Sequence, residues 1–398
     1  MSAKEKKKAS ESEKDLSSLF GDDCIYFDGD ISSIGRYEVI RTGSPSLDYA
    51  LGIGGLPRGR IVQFAGKESS GKTLLSLLVM KNWLDENPTN TAMFVDAEFT
   101  YDPKWAKGLG LDTSRIIVAK TNEAKKIFEG LVGKTSVNKT TGKASKGTKG
   151  VLDLVKEGVD PKFKNLGVIV VDSVAAMNTP MEAVADVGKQ NMAPMPRFLA
   201  TELKKLTPAA ADANVLIIFI NQIRTDPGVM YGNPESSPGG RALKHACSVM
   251  VNLAPLMSAD SKIEDSKGNM IGHTVRAKVQ KNKVGAPFRS SEYAIKYGVG
   301  IINKNKEIVD LGIKIGLIGR PSNRAYVIDD QKFDGRNSIE EYFSDEKIRI
   351  SFEERCRKYY TSDEFLSQGT DADNSESSDG DDSEQDIFDT MLSDDEEA

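Results

Sequence analysis

The sequence predicts an α/β protein, a mostly parallel sheet flanked by helices, and two features carry that reading. Short apolar runs alternate with helical stretches through the middle of the chain, the pattern of parallel strands joined by crossover helices. In addition, four of those runs each end in a polar group. Ile61–Ala65 leads into a glycine-rich turn, Ala92–Val95 into Asp96 and Glu98, Val168–Val171 into Asp172 and Ser173, and Val215–Ile220 into Asn221 and Gln222. Ligands of open α/β sheets lie beyond the carboxyl ends of the strands, so these groups are expected to converge on one site.

The first run sets the chemistry. Gly66, Lys67, Glu68, Ser69, Ser70, Gly71, Lys72 and Thr73 fit the phosphate-binding pattern G-x-x-x-x-G-K-[ST], and the apolar stretch Leu74–Met80 behind them reads as a buried helix. A strand, a glycine-rich turn and a helix start present backbone N–H groups and the helix N-terminus to an anion. Lys72 then supplies a point charge and the Thr73 hydroxyl holds Mg²⁺, so ATP or GTP is the expected ligand. A chance match in a loop would lack the strand and the helix.

The other strand ends complete the set. Asp172 closes four consecutive β-branched residues and is expected to orient the Mg²⁺ shell. An Asp at that place is also a common helix cap, and it is the phosphate loop about 100 residues upstream that favours the metal role. Hydrolysis needs a group that positions or deprotonates water, and Glu98 is the candidate. Gln222 cannot act as a base, but its amide can bond a γ-phosphate and report nucleotide state to the loop it opens.

That loop, residues 223–240, is rich in Gly and Pro and is expected to hold no regular structure, yet it carries Val229, Met230 and Tyr231. A second segment, residues 185–197, sets Met192 and Met195 beside two prolines. Apolar tips flanked by Arg and Lys suit wedging between bases while gripping phosphates, and they equally suit a protein interface. Residues 133–150 are basic and of low complexity and are expected to be a mobile surface loop.

Composition bounds the rest. No apolar run reaches the ~18 residues of a membrane span, and the charged N-terminus has no secretory h-region. Cys24, Cys247 and Cys356 are widely spaced, as thiols of a reducing, cytoplasmic compartment are, and His245 and His273 are too few for a metal centre. The net charge of −6 hides an asymmetry: thirteen acids and no bases lie in residues 369–398, so the preceding 368 residues carry +7. A positive body with an acidic tail suits a polyanion surface and an internal competitor for it, and equally a solvated solubility tail.

At this point the sequence resembles the bacterial RecA recombinase family. The resemblance rests on residues 42–48, 54–60, 66–73, 96–98, 168–176, 219–224, 228–235 and 281–288, collinear from about residue 40 to 300, and continues more weakly through 297–300 and 308–312. It implies ATP and Mg²⁺ as cofactors and a helical homo-filament on single-stranded DNA that pairs with homologous double-stranded DNA. Glu98 matches the family's catalytic glutamate and Gln222 its γ-phosphate sensor. Asp102 and Trp105 fall where the family contacts adenine, and Tyr297 is a further expected nucleotide-binding residue. Lys281 and Lys283 match two lysines that reach ATP on the adjacent subunit, in the manner of a finger supplied in trans. Met192 and Arg197 fall in the first DNA loop, and Arg224, Val229 and Met230 in the second, with Gly239 and Gly240 at its base.

The resemblance further implies an N-terminal polymerisation arm over residues 1–35, an ATPase core over 36–302 and a small α/β domain over 303–366. The acidic tail of 367–398 is also a family feature. Departures from the pattern are Asp226 and Pro227 in the second loop, Lys189, Pro194 and Pro196 in the first, Arg241 and His245 at an expected subunit contact, and the insertion 133–150. They mark a divergent member, of cellular or phage origin. A ring-shaped DNA motor shares the core but not the second loop or the lysine pair, and a non-enzymatic DNA coat would not need Lys72, Thr73, Glu98, Asp172 and Gln222 intact.

Overall fold

The computed structural model describes residues 37–137, 144–184, 194–225, 235–236, 238–256, 258–362 and Phe365. The chain divides into a short unit, Met1–Glu38, and a long one, Val39–Ala398. The central sheet and its helices belong to the long unit.

Its elements follow the alternation that the sequence announces. They are β1 (Ile61–Gly66), α1 (Lys72–Glu86), β2 (Thr91–Asp96), α2 (Pro103–Gly108), β3 (Ile116–Lys120), α3 (Ala124–Val132), β4 (Leu166–Asp172), α4 (Pro194–Asp212), β5 (Leu216–Gln222) and α5 (Gly240–Ala246). After these come β6 (Val249–Pro255), β7 (Met270–Asn282), β8 (Ser290–Lys296), β9 (Gly300–Ile302), α6 (Lys304–Lys314), α7 (Arg336–Tyr342) and α8 (Glu346–Tyr360). One sheet runs in the order β9-β8-β7-β6-β1-β5-β4-β2-β3, with Lys262–Glu264 added against β7. From β6 to β3 every neighbouring pair is parallel. From β6 to β9 the pairs are antiparallel, an extension that the apolar runs did not announce.

The apolar strands are continuous because both faces of the sheet are covered. Successive side chains serve opposite cores: in β4, Val168 and Val170 join α1 on one face, while Leu166, Ile169 and Val171 join α3 and α4 on the other. β5 divides likewise, Leu216, Ile218 and Ile220 against Ile217 and Phe219. At ~25 cal/mol per Å² of apolar surface, these two cores are the main source of stability. A third cluster, with Ile308, Ile339, Phe343 and Cys356 at its centre, is built from α6, α7, α8 and the hairpin Ala325–Ile328/Gln331–Asp334.

Two expectations need correction. Within residues 133–150, Thr135–Val137 pairs with Ala144–Lys146 as an antiparallel hairpin. A hairpin satisfies backbone donors and acceptors without apolar side chains, so low complexity did not preclude it. In the second loop, Arg224–Thr225 pairs with Glu235–Ser236 before α5 begins at Gly240, so that stretch is not free of regular structure. The N-terminal arm, the acidic tail and the two loop tips lie outside the described residues.

Candidate active site

The phosphate loop is shaped by where a side chain cannot go. A Cβ on Gly66 would lie 2.3 Å from the Leu253 carbonyl oxygen and 2.6 Å from Ser70 Oγ, so β1 can turn there only with glycine. Gly71, with φ +85°, makes the left-handed step into α1. No side chain caps α1, and the first N–H groups of a helix have no partner within it, which leaves them for an anion. Lys72, buried, donates from Nζ to the carbonyls of Gly66 (2.9 Å) and Lys67 (2.6 Å). Burial lowers its pKa, opposed by the carboxylates of Asp172, Glu98 and Glu68. The ammonium is thus held over its own loop by weak neutral acceptors that phosphate oxygens would outcompete.

Thr73 Oγ1 donates to Asp172 Oδ2 at 2.7 Å, joining the loop to the end of β4. Burial pushes the Asp172 carboxyl up to about 6, with the Thr73 hydroxyl opposing and the Glu98 charge adding. Register places Asp96 beside Asp172, and Gly66 beside Gln222, so all four strand ends meet at one edge. Asp96 is buried and accepts from the N–H groups of Thr100 (2.9 Å) and Tyr101 (3.1 Å), which fixes the turn carrying Glu98. Glu98 Oε1 accepts from Gln222 Nε2 at 3.2 Å and from Ser173 Oγ. The Asp172–Ser173 peptide is cis. Lys72, Thr73, Asp172, Glu98 and Gln222 therefore form one hydrogen-bonded and electrostatically coupled group. An ammonium, a hydroxyl–carboxylate pair and a glycine cradle suit a nucleotide phosphate with a divalent cation. Ser173 was missed as a participant, although its place directly after Asp172 at a strand end was a usable signal.

Asp102 and Trp105 belong to α2, and the chain after Tyr297 approaches the last residue of that helix. Asp102 caps α2, accepting from Lys104 N at 2.8 Å, and Trp105 packs half-buried against the core beneath α1. The turn after Tyr297 lies over the same helix: the Gly298 carbonyl is 3.9 Å from where a Cβ on Gly108 would stand. Lys281 and Lys283 are elsewhere. Asn282 pairs with Val249, which pairs with Val62, whereas Gly66 pairs with Leu253. The lysines thus sit at the opposite edge of the sheet, displaced from their own phosphate loop by roughly 13 Å along the strands, at ~3.3 Å per residue, and by two strands across the sheet. There Lys283 Nζ donates to the His245 carbonyl at 3.2 Å, and Lys281 Nζ to that of Lys244, at the end of α5. Burial and the neighbouring Lys283 lower the Lys281 pKa.

The loop residues divide. Met192, Val229 and Met230 lie outside the described residues, as do Asp226 and Pro227, and Arg224 is described only by its backbone pairing. Arg197 is exposed in the first turn of α4. Gly239 (φ +95°) and Gly240 (φ +57°) start α5, and a Cβ on them would stand 3.0 Å from Leu199 Cδ1 and 3.4 Å from Pro196 Cβ. The ends of the two loops therefore touch. Asn221 Nδ2 donates to the Pro238 carbonyl at 2.8 Å, tying β5 to the same place.

The RecA N-terminal domain model matches residues 7–140 and 147–302. The chain belongs to the RecA family. Protein RecA of Cereibacter sphaeroides is 36% identical over 340 residues, 85% of this chain and 89% of that one. Protein RecA of Caulobacter vibrioides is 36% identical over 322 residues, 81% of each, and that of Paracoccus denitrificans 35% over 327, 82% of each. A crystal structure of the RadB recombinase aligns at 21% identity with a TM-score of 0.44, over 66% of this chain and 98% of that one. The chain is thus a RecA-like recombination protein and a DNA-dependent ATPase of that family, built on its α/β sheet. The family match breaks off between 140 and 147, inside the hairpin of the insertion. Among the described residues no helix is long and apolar enough to cross a membrane.

Proposed function

We propose that this RecA-family chain hydrolyses ATP at residues 66–73, polymerises head to tail on single-stranded DNA in the cytoplasm, and pairs that strand with homologous duplex. One observation carries the reading. Glu98 is held by Gln222 at the sheet edge where Lys72 and the Thr73–Asp172 pair meet, while Lys281 and Lys283 occupy the opposite edge. One protomer then offers half of a site at each end.

Lys72 and the α1 N-terminus bind the triphosphate, and Thr73, oriented by Asp172, holds Mg²⁺. A Mg²⁺ ion held there would supply positive charge to the phosphate oxygens. Water attacks the γ-phosphorus, the bond to the β-phosphate oxygen breaks to release ADP, and Glu98 accepts the water's proton. If Gln222 turns the N–H it gives to Glu98 toward the γ-phosphate, Glu98 Oε1 is left with the Ser173 hydroxyl alone. Asp102, Trp105 and Tyr297 flank the base. Arg197, Arg224 and the tips at Met192, Val229 and Met230 grip DNA, and Gly239 and Gly240 let the second loop lie against the first. Phosphate contacts dominate that affinity and make it fall with salt.

The test is ATP turnover with and without single-stranded DNA, electron microscopy of the complex, and a strand-exchange assay. DNA-stimulated turnover that Lys72→Ala abolishes, with filaments, supports the proposal. Turnover indifferent to DNA, or closed rings without filaments, refutes it.

A further inference from the structure

The proposed base contact Tyr297 is tied to a buried histidine that no part of the proposal uses. His273, 3% exposed on β7, has Nδ1 3.0 Å from Tyr297 Oη, and the two rings lie 5.7 Å apart, inclined at 58°. Tyr297 is 50% exposed, and its backbone N–H donates to the Ile271 carbonyl at 2.9 Å. The chain path is therefore pinned at Tyr297, and its ring is held at the hydroxyl by a group fixed inside the sheet.

The proton on the imidazole follows from the other nitrogen. His273 Nε2 is buried and makes no hydrogen bond. A buried N–H without a partner costs more than an unpaired ring lone pair, so the proton belongs on Nδ1 and is donated to Tyr297 Oη. Accepting that bond leaves the phenol O–H to point at something else. Tyr297 begins the turn laid over α2, the helix that carries Asp102 at its cap and Trp105 on its body.

We infer that His273 is a positioning residue for the nucleotide: through Nδ1 it aims the Tyr297 ring and turns the phenol proton toward an acceptor on the bound nucleoside. His273 touches no nucleotide itself, and the inference rests on the reading of Tyr297 as a base contact. It predicts that the residue affects how tightly ATP is bound and leaves the chemistry at Glu98 alone.

The experiment measures KM and kcat for ATP with saturating single-stranded DNA, with thermal unfolding alongside. Tyr297→Ala tests the underlying contact, and His273→Phe, Tyr297→Phe and their double variant test the bond. A net hydrogen bond of ordinary strength corresponds to a rise in KM of roughly three- to tenfold in each single variant. kcat stays unchanged in His273→Phe, and the double variant is no worse in KM than either single one. His273→Gln, whose amide can still donate to the hydroxyl, returns KM to within about twofold. If His273→Phe leaves KM unchanged while Tyr297→Ala raises it, the positioning role is wrong and the base contact stands. If Tyr297→Ala changes nothing, the base contact is wrong and the inference goes with it. Should the phenylalanine variant not fold, a His273→Gln variant with raised KM and normal kcat overturns the donor geometry.

Discussion

A mixing experiment tests whether the two sheet edges work on different molecules. Lys72→Ala removes the loop ammonium, and Lys281→Ala with Lys283→Ala removes the pair at the other edge. Register separates the two by roughly 13 Å along the strands and by two strands across the sheet within one chain, beyond the reach of either ammonium to the other's phosphate position. Each variant alone should show almost no DNA-stimulated turnover. In an equimolar mixture, half of the loops are intact and half of the neighbouring edges are intact. Random assembly then restores about one quarter of wild-type turnover, since a finger in trans needs only one good loop against one good edge. The assay is steady-state phosphate release at fixed total protein and saturating DNA, varied over the mixing ratio. A maximum near equal amounts supports the argument. A mixture no faster than the mean of its two components would refute it.

Other substitutions reach different parts of the molecule. Gly66→Ala places a carbon 2.3 Å from the Leu253 oxygen, so the loop must shift; unfolding by denaturant should report a loss of about 1–3 kcal/mol, with a weakened KM for ATP. Glu307 is buried against Ser44 and Ser46, and burial pushes its carboxyl from 4.5 up to about 7; Asp48, likewise buried, rises from 3.8 to about 7. The folded state keeps these protons where the unfolded one releases them, so stability is greatest below the unfolded values and is lost as pH rises toward about 7. Glu307→Gln should remove its share of that slope, on the order of 3 kcal/mol at most, read as a smaller fall in Tm between about pH 5 and pH 8; an unchanged slope would show that Glu307 does not titrate there. Removing residues 369–398, with their thirteen acids, should tighten DNA binding in anisotropy titrations at low salt, the difference closing as salt rises.

The legible parts of this chain were those where one local pattern had one physical cause. Strands β1, β2, β4 and β5 were readable because burial on both faces demands unbroken apolar runs, and their polar last residues then had to share an edge. The extension β7–β9 was not read, although β7 alternates buried and exposed positions, because its outward face is filled with Lys and Arg and resembles a solvated segment. The hairpin of the insertion and the short ladder after Gln222 are held by backbone pairing, which leaves little trace in side-chain type. In the site, Lys72, Thr73, Glu98, Asp172 and Gln222 could be named in advance because each residue type suits phosphate chemistry. Ser173 left only its place after Asp172 as a signal, and His273 left none, since the bonds they make to Glu98 and Tyr297 are visible only in space.

The end of β5 has a consequence for communication. Asn221 and Gln222 are consecutive, so their side chains leave the strand on opposite sides, one bonded to the Pro238 carbonyl and the other to Glu98. A single peptide plane therefore separates the two attachments, like the crossbar between the arms of a seesaw. A displacement of one arm is expected to tilt the other, with no detour through either hydrophobic interior, and Asn221→Ala, read as DNA-stimulated ATP turnover, tests it. Inserting one residue before Asn221 would exchange the arms and sever both attachments, and it would also shift the pairing that sets Gln222 beside Gly66.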